Sequence, residues 1–290
     1  MERSLHELSH WRVLSAFALL VLLLVWESLA PFFAYFVGST GERVRHGVKN
    51  LVLGAFNALL TGLGFAALWW GTAQWAQAHD FGVLNQVTMP GWARLAAVFL
   101  LFDVWMYWWH RLNHRVPFLW RFHRTHHSDS RMDVTTANRF HIGEIALSSM
   151  LRVPLIALLG MQLGELALYE LAMFAVVQLH HANIALPGRL DHALRALIVT
   201  PFMHKVHHSR WQPETDSNYS SLFSFWDRIF HTFRLRDDER ALRLGLDEFD
   251  SPKDHTLFGL FATPIKRVSP SARKGNSSSN HLKGGRFDVT

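Results

Sequence analysis

Cysteine is absent from all 290 residues. That excludes thiolate zinc sites, iron–sulfur clusters, disulfides and cysteine nucleophiles together, so any metal must be held by His, Asp, Glu or Asn. Charge is scarce too: Asp, Glu, Lys and Arg make up 18% of the chain against 49% hydrophobic residues, which is not the balance of an ordinary soluble enzyme. The net charge of +6 is carried by arginines beside apolar runs, not by a basic patch interleaved with exposed aromatics. An anionic lipid surface fits that pattern, and nucleic acid does not. No G-x-G-x-x-G follows a strand-like run, so the chain has no nicotinamide site of its own; Gly62 and Gly64 read as helix packing.

What is present is long apolar runs. Val13 to Phe36 contains a single charge, Glu27, and is long enough to cross a bilayer core of ~30 Å as a retained anchor. Leu51 to Gly71 is a second run, ending in the interfacial pair Trp69–Trp70, and Leu95 to Trp109 is a third, broken only by Asp103. The first loop carries Arg43, Arg45 and Lys49, whereas 72–91 holds no Lys or Arg. The positive-inside rule therefore places the first loop in the cytoplasm and brings the third run back to the cytoplasmic side, where Arg111, Arg115, Arg121 and Arg124 follow. Ile145 to Leu179 is interrupted by Pro154, Gly160 and Gly164. Its halves of about 15 residues, or about 23 Å of helix, predict a re-entrant hairpin or two short tilted helices with both ends cytoplasmic. The expected architecture is an all-α integral membrane protein with three to five embedded helices and a cytoplasmic helical cap. It divides into N-terminal transmembrane helices (1–94), a catalytic domain (95–260) and a flexible basic tail (261–290).

Histidine is abundant, 19 in all, and clustered. His110 and His114 are followed by His123, His126 and His127, then His180 and His181, then His204, His207 and His208. Positions i, i+3 and i+4 share a helix face, so each group can aim its imidazoles at one point. Eight or more imidazoles exceed what one tetrahedral ion needs and imply two ions, with iron, zinc, copper or nickel compatible with the donor type. A dimetal site of histidines at a membrane surface favours oxygen activation over hydrolysis. A separate match, His6-Glu7-Leu8-Ser9-His10, has the H-E-x-x-H form of zinc proteases but no third ligand nearby, and it reads as coincidence.

These motifs, read as His110-Arg-Leu-Asn-His114, His123-Arg-Thr-His126-His127, His181-Ala-Asn183 and His204-Lys-Val-His207-His208, resemble those of the fatty acid hydroxylase and sterol desaturase superfamily. The resemblance covers roughly residues 95 to 260 and extends to Arg139-Phe140-His141-Ile-Gly-Glu144, Asp216-Ser-Asn218-Tyr219 and Trp226-Asp227. Ser220 and His231 stand where the family usually has glycine.

The resemblance implies a cytoplasmic cap with two iron ions, O2 as co-substrate and electrons from a cytochrome b5 or ferredoxin type of partner. The reaction implied is hydroxylation or desaturation of a lipid C–H bond. His110, His114, His123, His126, His127, His204, His207 and His208 are the expected ligands, and His181 is the next. His180 would point about 100° away from His181 on a helix. His141 is a further candidate, set against hydrogen bonding with Glu144 or a backbone carbonyl. Asp103, seven residues before His110, is a candidate to orient a ligand imidazole, or else a buried acceptor. Asp216, Asn218, Tyr219 and Asp227 are expected to brace the site, with Asn183 close to it. Rival readings are a zinc-dependent membrane hydrolase and a non-catalytic metal-handling membrane protein.

Overall fold

The computed structural model describes residues 2–267, and for 2–13 the backbone alone. The expected basic tail beyond 267 and the side chains of the His6–His10 match lie outside the described residues. The described part is helical, without a β-strand; two isolated bridges, Ile198 with Phe223 and Ser209 with Leu244, are its extended pairings.

The first helix, α1 (Glu2–Leu29), ends earlier than the run to Phe36 suggested, because Pro31 follows and the chain then turns inward. Phe32 N–H donates to the Asn183 carbonyl (2.8 Å), and Phe33 exchanges hydrogen bonds with the Asn183 amide (2.9 and 2.8 Å). Glu27, the charge within the run, accepts from Arg43 (3.0 Å) and from the backbone N–H groups of Val134 (3.1 Å) and Asn183 (2.9 Å).

The second run is longer than expected. Helix α2 (Thr40–Leu59) continues through a π-helical turn, Leu60–Phe65, into α3 (Ala66–Ala78). Among the described residues, three helices are long and apolar enough to cross a membrane: Thr40–Asn85, Ile142–Leu159 and Leu163–His181; Leu14–Leu29 is a shorter apolar helix. Leu51, Phe56, Leu63, Trp70 and Trp75 are exposed, an apolar surface that suits lipid as solvent. The run expected to be a third span lies in α4 (Gly91–Arg115), which is not among those three.

The predicted hairpin also resolves differently. Pro154 is accommodated within α6 (Ile142–Leu159), and the chain breaks only at Gly160, whose φ of 70° is the left-handed C-cap that glycine favours. Helix α7 (Leu163–His181) then starts on a Gln162/Glu165 capping box. The two helices have 18 and 19 residues, about 27–28 Å each, rather than about 15. They do not form a closed hairpin: α6 packs mainly on α3, and α7 on α1, on the short turn Val134–Asn138 and on α9.

Proline sets the corners that bear histidine. Val116 precedes Pro117 and is extended, as the residue before proline must be, so α4 turns sharply into α5 (Pro117–His127) after a single linking residue. Thr200 and Pro201 repeat the device at the start of α9 (Pro201–His207), after the short α8 (Gly188–Leu194). The remaining helices are α10 (Gln212–Thr215), α11 (Phe225–Ile229) and α12 (Leu257–Ala262). Residues 261–267, expected to open the tail, instead clasp α5. Arg124 donates to the carbonyls of Thr263 and Lys266 (2.7 Å for the latter).

Candidate metal centre

Ten of the histidines line one interior, and two groups emerge within which one nitrogen of every ring lies within 4.8 Å of the others. His110, His114, His123, His127 and His207 form the first; His126, His181, His204 and His208 form the second. Each H-x2-H-H motif is thus divided. On α5, His123 and His127 join the first group while His126 turns to the second; on α9, His207 joins the first while His204 and His208 join the second. Helical geometry explains the split. At about 100° per residue, positions i and i+4 are about 40° apart, whereas i+3 and i+4 are about 100° apart. A motif spanning all three faces two points, not the single point its spacing suggested.

The first group is oriented through its Nδ1 atoms. His110 Nδ1 donates to the Tyr219 carbonyl (2.7 Å), His123 Nδ1 to Glu144 Oε1 (2.9 Å) and His207 Nδ1 to the Ser217 carbonyl (2.6 Å). His114 Nδ1 lies 3.5 Å from Asp216 Oδ1. Neutral rings fixed this way present bare Nε2 lone pairs inward, and Nε2 of His110 and Nε2 of His123 then meet 3.1 Å apart. Two lone pairs at that distance repel unless a cation lies between them. In the second group, His181 Nδ1 donates to the Val177 carbonyl (2.7 Å), and its Nε2 lies 3.1 Å from that of His126 and 3.0 Å from that of His204. His208 Nε2 is 3.1 Å from His204 Nε2. Nδ1 of His126, His204 and His208 and Nε2 of His207 are buried without a partner, as are both nitrogens of His114 and His127. Orphaned buried nitrogens are rare, and here nine imidazoles converge without carboxylates between them. The donor set fits two cations of the imidazole-preferring kind.

Burial, reinforced by neighbouring imidazoles, holds His126, His127, His204 and His208 well below the usual histidine range. It takes His207 down to about 3 even though hydrogen bonds to the Ser217 and Thr215 backbone oppose the shift. The rings are therefore neutral at physiological pH, the form that ligates metal.

Two expected ligands stand apart. His141 is the N-cap of α6: Nδ1 accepts from the Gly143 N–H (2.9 Å) and Nε2 donates to the Phe261 carbonyl (3.1 Å), so both its nitrogens are engaged away from the groups. Its anticipated partner, Glu144, serves His123 instead. His180 belongs to neither group but stacks on His204, with ring centroids 3.9 Å apart. Asp103 does not reach a ligand imidazole; it accepts from Tyr169 Oη (2.6 Å), Trp226 Nε1 (2.9 Å) and Phe223 N–H (3.0 Å), as a buried acceptor would.

Asp227 does brace the site, holding the N–H groups of Tyr219 (2.7 Å) and Ser220 (3.0 Å) and with them the carbonyl that orients His110. Asn218, at φ 52°, closes the neighbouring turn by accepting from Arg234 N–H (2.9 Å). His231, where the family has glycine, takes a φ of 57°. Sequence reasoning missed the support under the second motif. His46 bridges Asp129 (3.0 Å) and Asp133 (3.2 Å), while the buried Arg139 donates to the Thr125 carbonyl (3.0 Å) and Ser128 Oγ (2.9 Å). Although burial alone would raise it, Asp129 is held well below the usual carboxylate range by His46 and Arg139. The signal available was the pair Asp129 and Asp133 directly after the motif; His46, on α2, carries none locally.

Above the histidines lies a cavity of about 680 Å³. His110, His123, His126, His181 and His204 line it together with Trp69, Met106, Trp109, Met173 and Phe174. A helical body with apolar helices, two imidazole groups and an apolar cavity above them defines a histidine-based membrane metalloprotein.

Residues 95–232 match the family model described as fatty acid hydroxylase. The chain is 30% identical to alkylglycerol monooxygenase of Homo sapiens over 171 residues, covering 58% of this chain and 37% of that protein. It is 34% identical to an ornithine lipid hydroxylase of Rhizobium tropici over 143 residues (49% of this chain, 42% of the other). With cholesterol 25-hydroxylase of Rattus norvegicus it shares 25% identity over 167 residues (54% and 53%). It thus spans between about a third and a half of the length of these curated relatives. No solved structure matches the chain. Residues 95–232 thus carry the match to the fatty acid hydroxylase family, in line with the resemblance read from the sequence.

Proposed function

We propose that this protein is a multi-pass membrane oxidoreductase that uses two iron ions and O2 to hydroxylate a C–H bond of a lipid, or to desaturate it. The observation that carries the reading is the pairing of His110 and His123, whose Nδ1 atoms are both committed to oxygen acceptors while their Nε2 atoms face each other at 3.1 Å. His110, His114, His123, His127 and His207 would hold one ion, and His126, His181, His204 and His208 the other. Bound there, the irons supply O2 reduction and C–H oxidation, with two electrons and two protons drawn from outside to yield an alcohol and water.

The chain's own residues do the rest. Glu144 and the carbonyls of Tyr219, Val177 and Ser217 keep His123, His110, His181 and His207 in one tautomer, aimed inward. Trp109, Met106, Met173 and Phe174 present an apolar wall that accepts an alkyl or ring portion of substrate and keeps bulk water from the histidines. A lipid substrate enters from the bilayer. A cytochrome b5 or ferredoxin type of protein supplies the electrons, and the histidine face lies on the cytoplasmic side. The names of the relatives, which include a monooxygenase of alkylglycerols and hydroxylases of ornithine lipid and cholesterol, support a lipid as substrate.

The test is metal analysis of detergent-purified protein beside a His126→Ala variant. Two irons per chain, with loss of iron and of O2-dependent lipid oxidation in the variant at unchanged expression, is the expected result. Full activity in the variant, or stoichiometric zinc with hydrolysis in the absence of O2, would overturn the assignment.

A further inference from the structure

Of three polar clusters set against α4, α6 and α7 among the described residues, two are complete. Asp103 spends its carboxylate on Tyr169, Trp226 and Phe223. Arg94 reaches Glu165 (2.6 Å), Asn85 (3.1 Å) and the carbonyls of Leu84 and Gly160 (2.6 Å each). The third is not complete. Arg152 of α6 and Glu170 of α7 pair through Nη1 and Oε1 inside the stretches long and apolar enough to span, yet Arg152 Nε is buried with no partner. Both side chains line the cavity above the histidines, 14% and 15% exposed. The guanidinium lies 5.3 Å from the centroid of the Trp69 ring and 5.8 Å from that of Phe102, which holds it in place.

An ion pair placed among membrane helices is expensive and marks a functional position unless packing explains it. Packing alone would be served as well by apolar residues, and the vacant Nε would then not exist. The pair also lies at a set distance from the chemistry. Arg152 is eight residues along α6 from Glu144, about 12 Å, and Glu170 is eleven residues along α7 from His181, about 16 Å.

From this geometry, and resting on the function proposed above, we infer that Arg152 and Glu170 form a subsite for an uncharged hydroxyl group of the lipid substrate, which fixes how far along the molecule oxidation occurs. A hydroxyl oxygen accepts a hydrogen bond from Arg152 while its O–H donates one to the Glu170 carboxylate, so both charged partners are used. A carboxylate or sulfate would satisfy Arg152 but face the Glu170 carboxylate, and a plain alkane would leave Arg152 Nε unpaired. Ser148 and Ser149, between the pair and Glu144 on the cavity side of α6, continue the polar strip without adding charge.

The test is competition binding with iron-loaded protein in lipid nanodiscs, using tritiated hexadecanol as probe and unlabelled hexadecanol, hexadecyl sulfate and hexadecane as competitors. Wild-type protein is expected to prefer the alcohol over both competitors at least tenfold. Glu170→Gln should narrow the gap between alcohol and sulfate by about tenfold, and Arg152→Met should weaken alcohol binding by a similar factor, each at unchanged iron content. Equal displacement by all three competitors, a preference for the sulfate, or no saturable alcohol binding would overturn the subsite. The wild-type series decides this without any variant. Absence of iron from the wild-type protein would strike the function proposed above, whereas normal iron with no headgroup preference would strike the subsite alone.

Discussion

The two histidine groups are built differently although both draw on α5 and α9, the first adding α4 and the second α7. In the first, hydrogen bonds aim the rings: backbone carbonyls of Tyr219 and Ser217 and the Glu144 carboxylate hold His110, His207 and His123. In the second, only His181 is held that way, by Val177. The other rings are held by stacking: His126 on Phe140 (4.3 Å, 10°), His208 on His127 (4.4 Å, 17°) and His204 on His180 (3.9 Å, 30°). A hydrogen bond fixes tautomer and direction together, whereas a stacked ring is free to choose its tautomer. Three of the five rings of the first group are thus aimed before metal arrives, against one of four in the second, which depends more on its ion for order.

The largest test of this contrast is His204→Ala, which removes the ring whose Nε2 touches both His181 and His208. Iron content should fall from two per chain to one, and lipid oxidation by more than about 100-fold, beyond the usual cost of losing a mere supporting residue. Loss of both ions would break the division into independently built groups. Glu144→Gln should weaken the first site by about 10–100-fold in metal affinity while sparing the second, read by titrating each iron against a chelator. Equal weakening of both sites would show that they are one coupled unit.

Acid provides a third test. His126, His127, His204, His207 and His208 all have folded values below the unfolded one, so between pH 6.5 and about 3 the unfolded chain binds more protons than the folded one. Their contribution to stability is present above pH 6.5 and is lost as pH falls below it, by up to about 1.4 kcal/mol per ring per pH unit. Metal-stripped protein should show a thermal midpoint that falls steeply between pH 6.5 and 5. A flat profile there would mean that the rings are already protonated or exposed. The smallest effect expected is for Phe140→Leu, which removes the stacking partner of His126. It should cost the second site about 2–10-fold in metal affinity, and less than Glu144→Gln costs the first.

Much of this was legible beforehand, for definite reasons. Histidine spacing at i, i+3 and i+4 identified the rings, and the absence of cysteine narrowed the donor set. The division of each motif between two groups was hidden only because i+3 and i+4 were treated as one direction. Helix ends were harder to see. Pro154 looked like a break but is absorbed within α6, while Gly160, with its left-handed φ, is the break that matters. Arg152 and Glu170 stand in plain view within the interrupted apolar stretch Ile145 to Leu179, yet their pairing depends on how α6 and α7 come together. His141 looked like its neighbours because nothing local distinguishes a capping imidazole from a ligating one. Its second partner, Phe261, lies 120 residues away.

The carboxylate of Glu27 bears on how the protein is made. Its partners in the finished fold include the N–H groups of Val134 and Asn183, 107 and 156 positions further along the chain. During synthesis α1 is made long before either exists, carrying an acid near the end of its apolar run, a group that costs about 2.5–3.5 kcal/mol at the centre of a lipid-bound helix. Arg43, only 16 positions on, is the first group able to receive it. Synthesis of the first helix and its docking are therefore separate events. The second waits until the loop after α7 leaves the ribosome and closes the molecule around its own beginning.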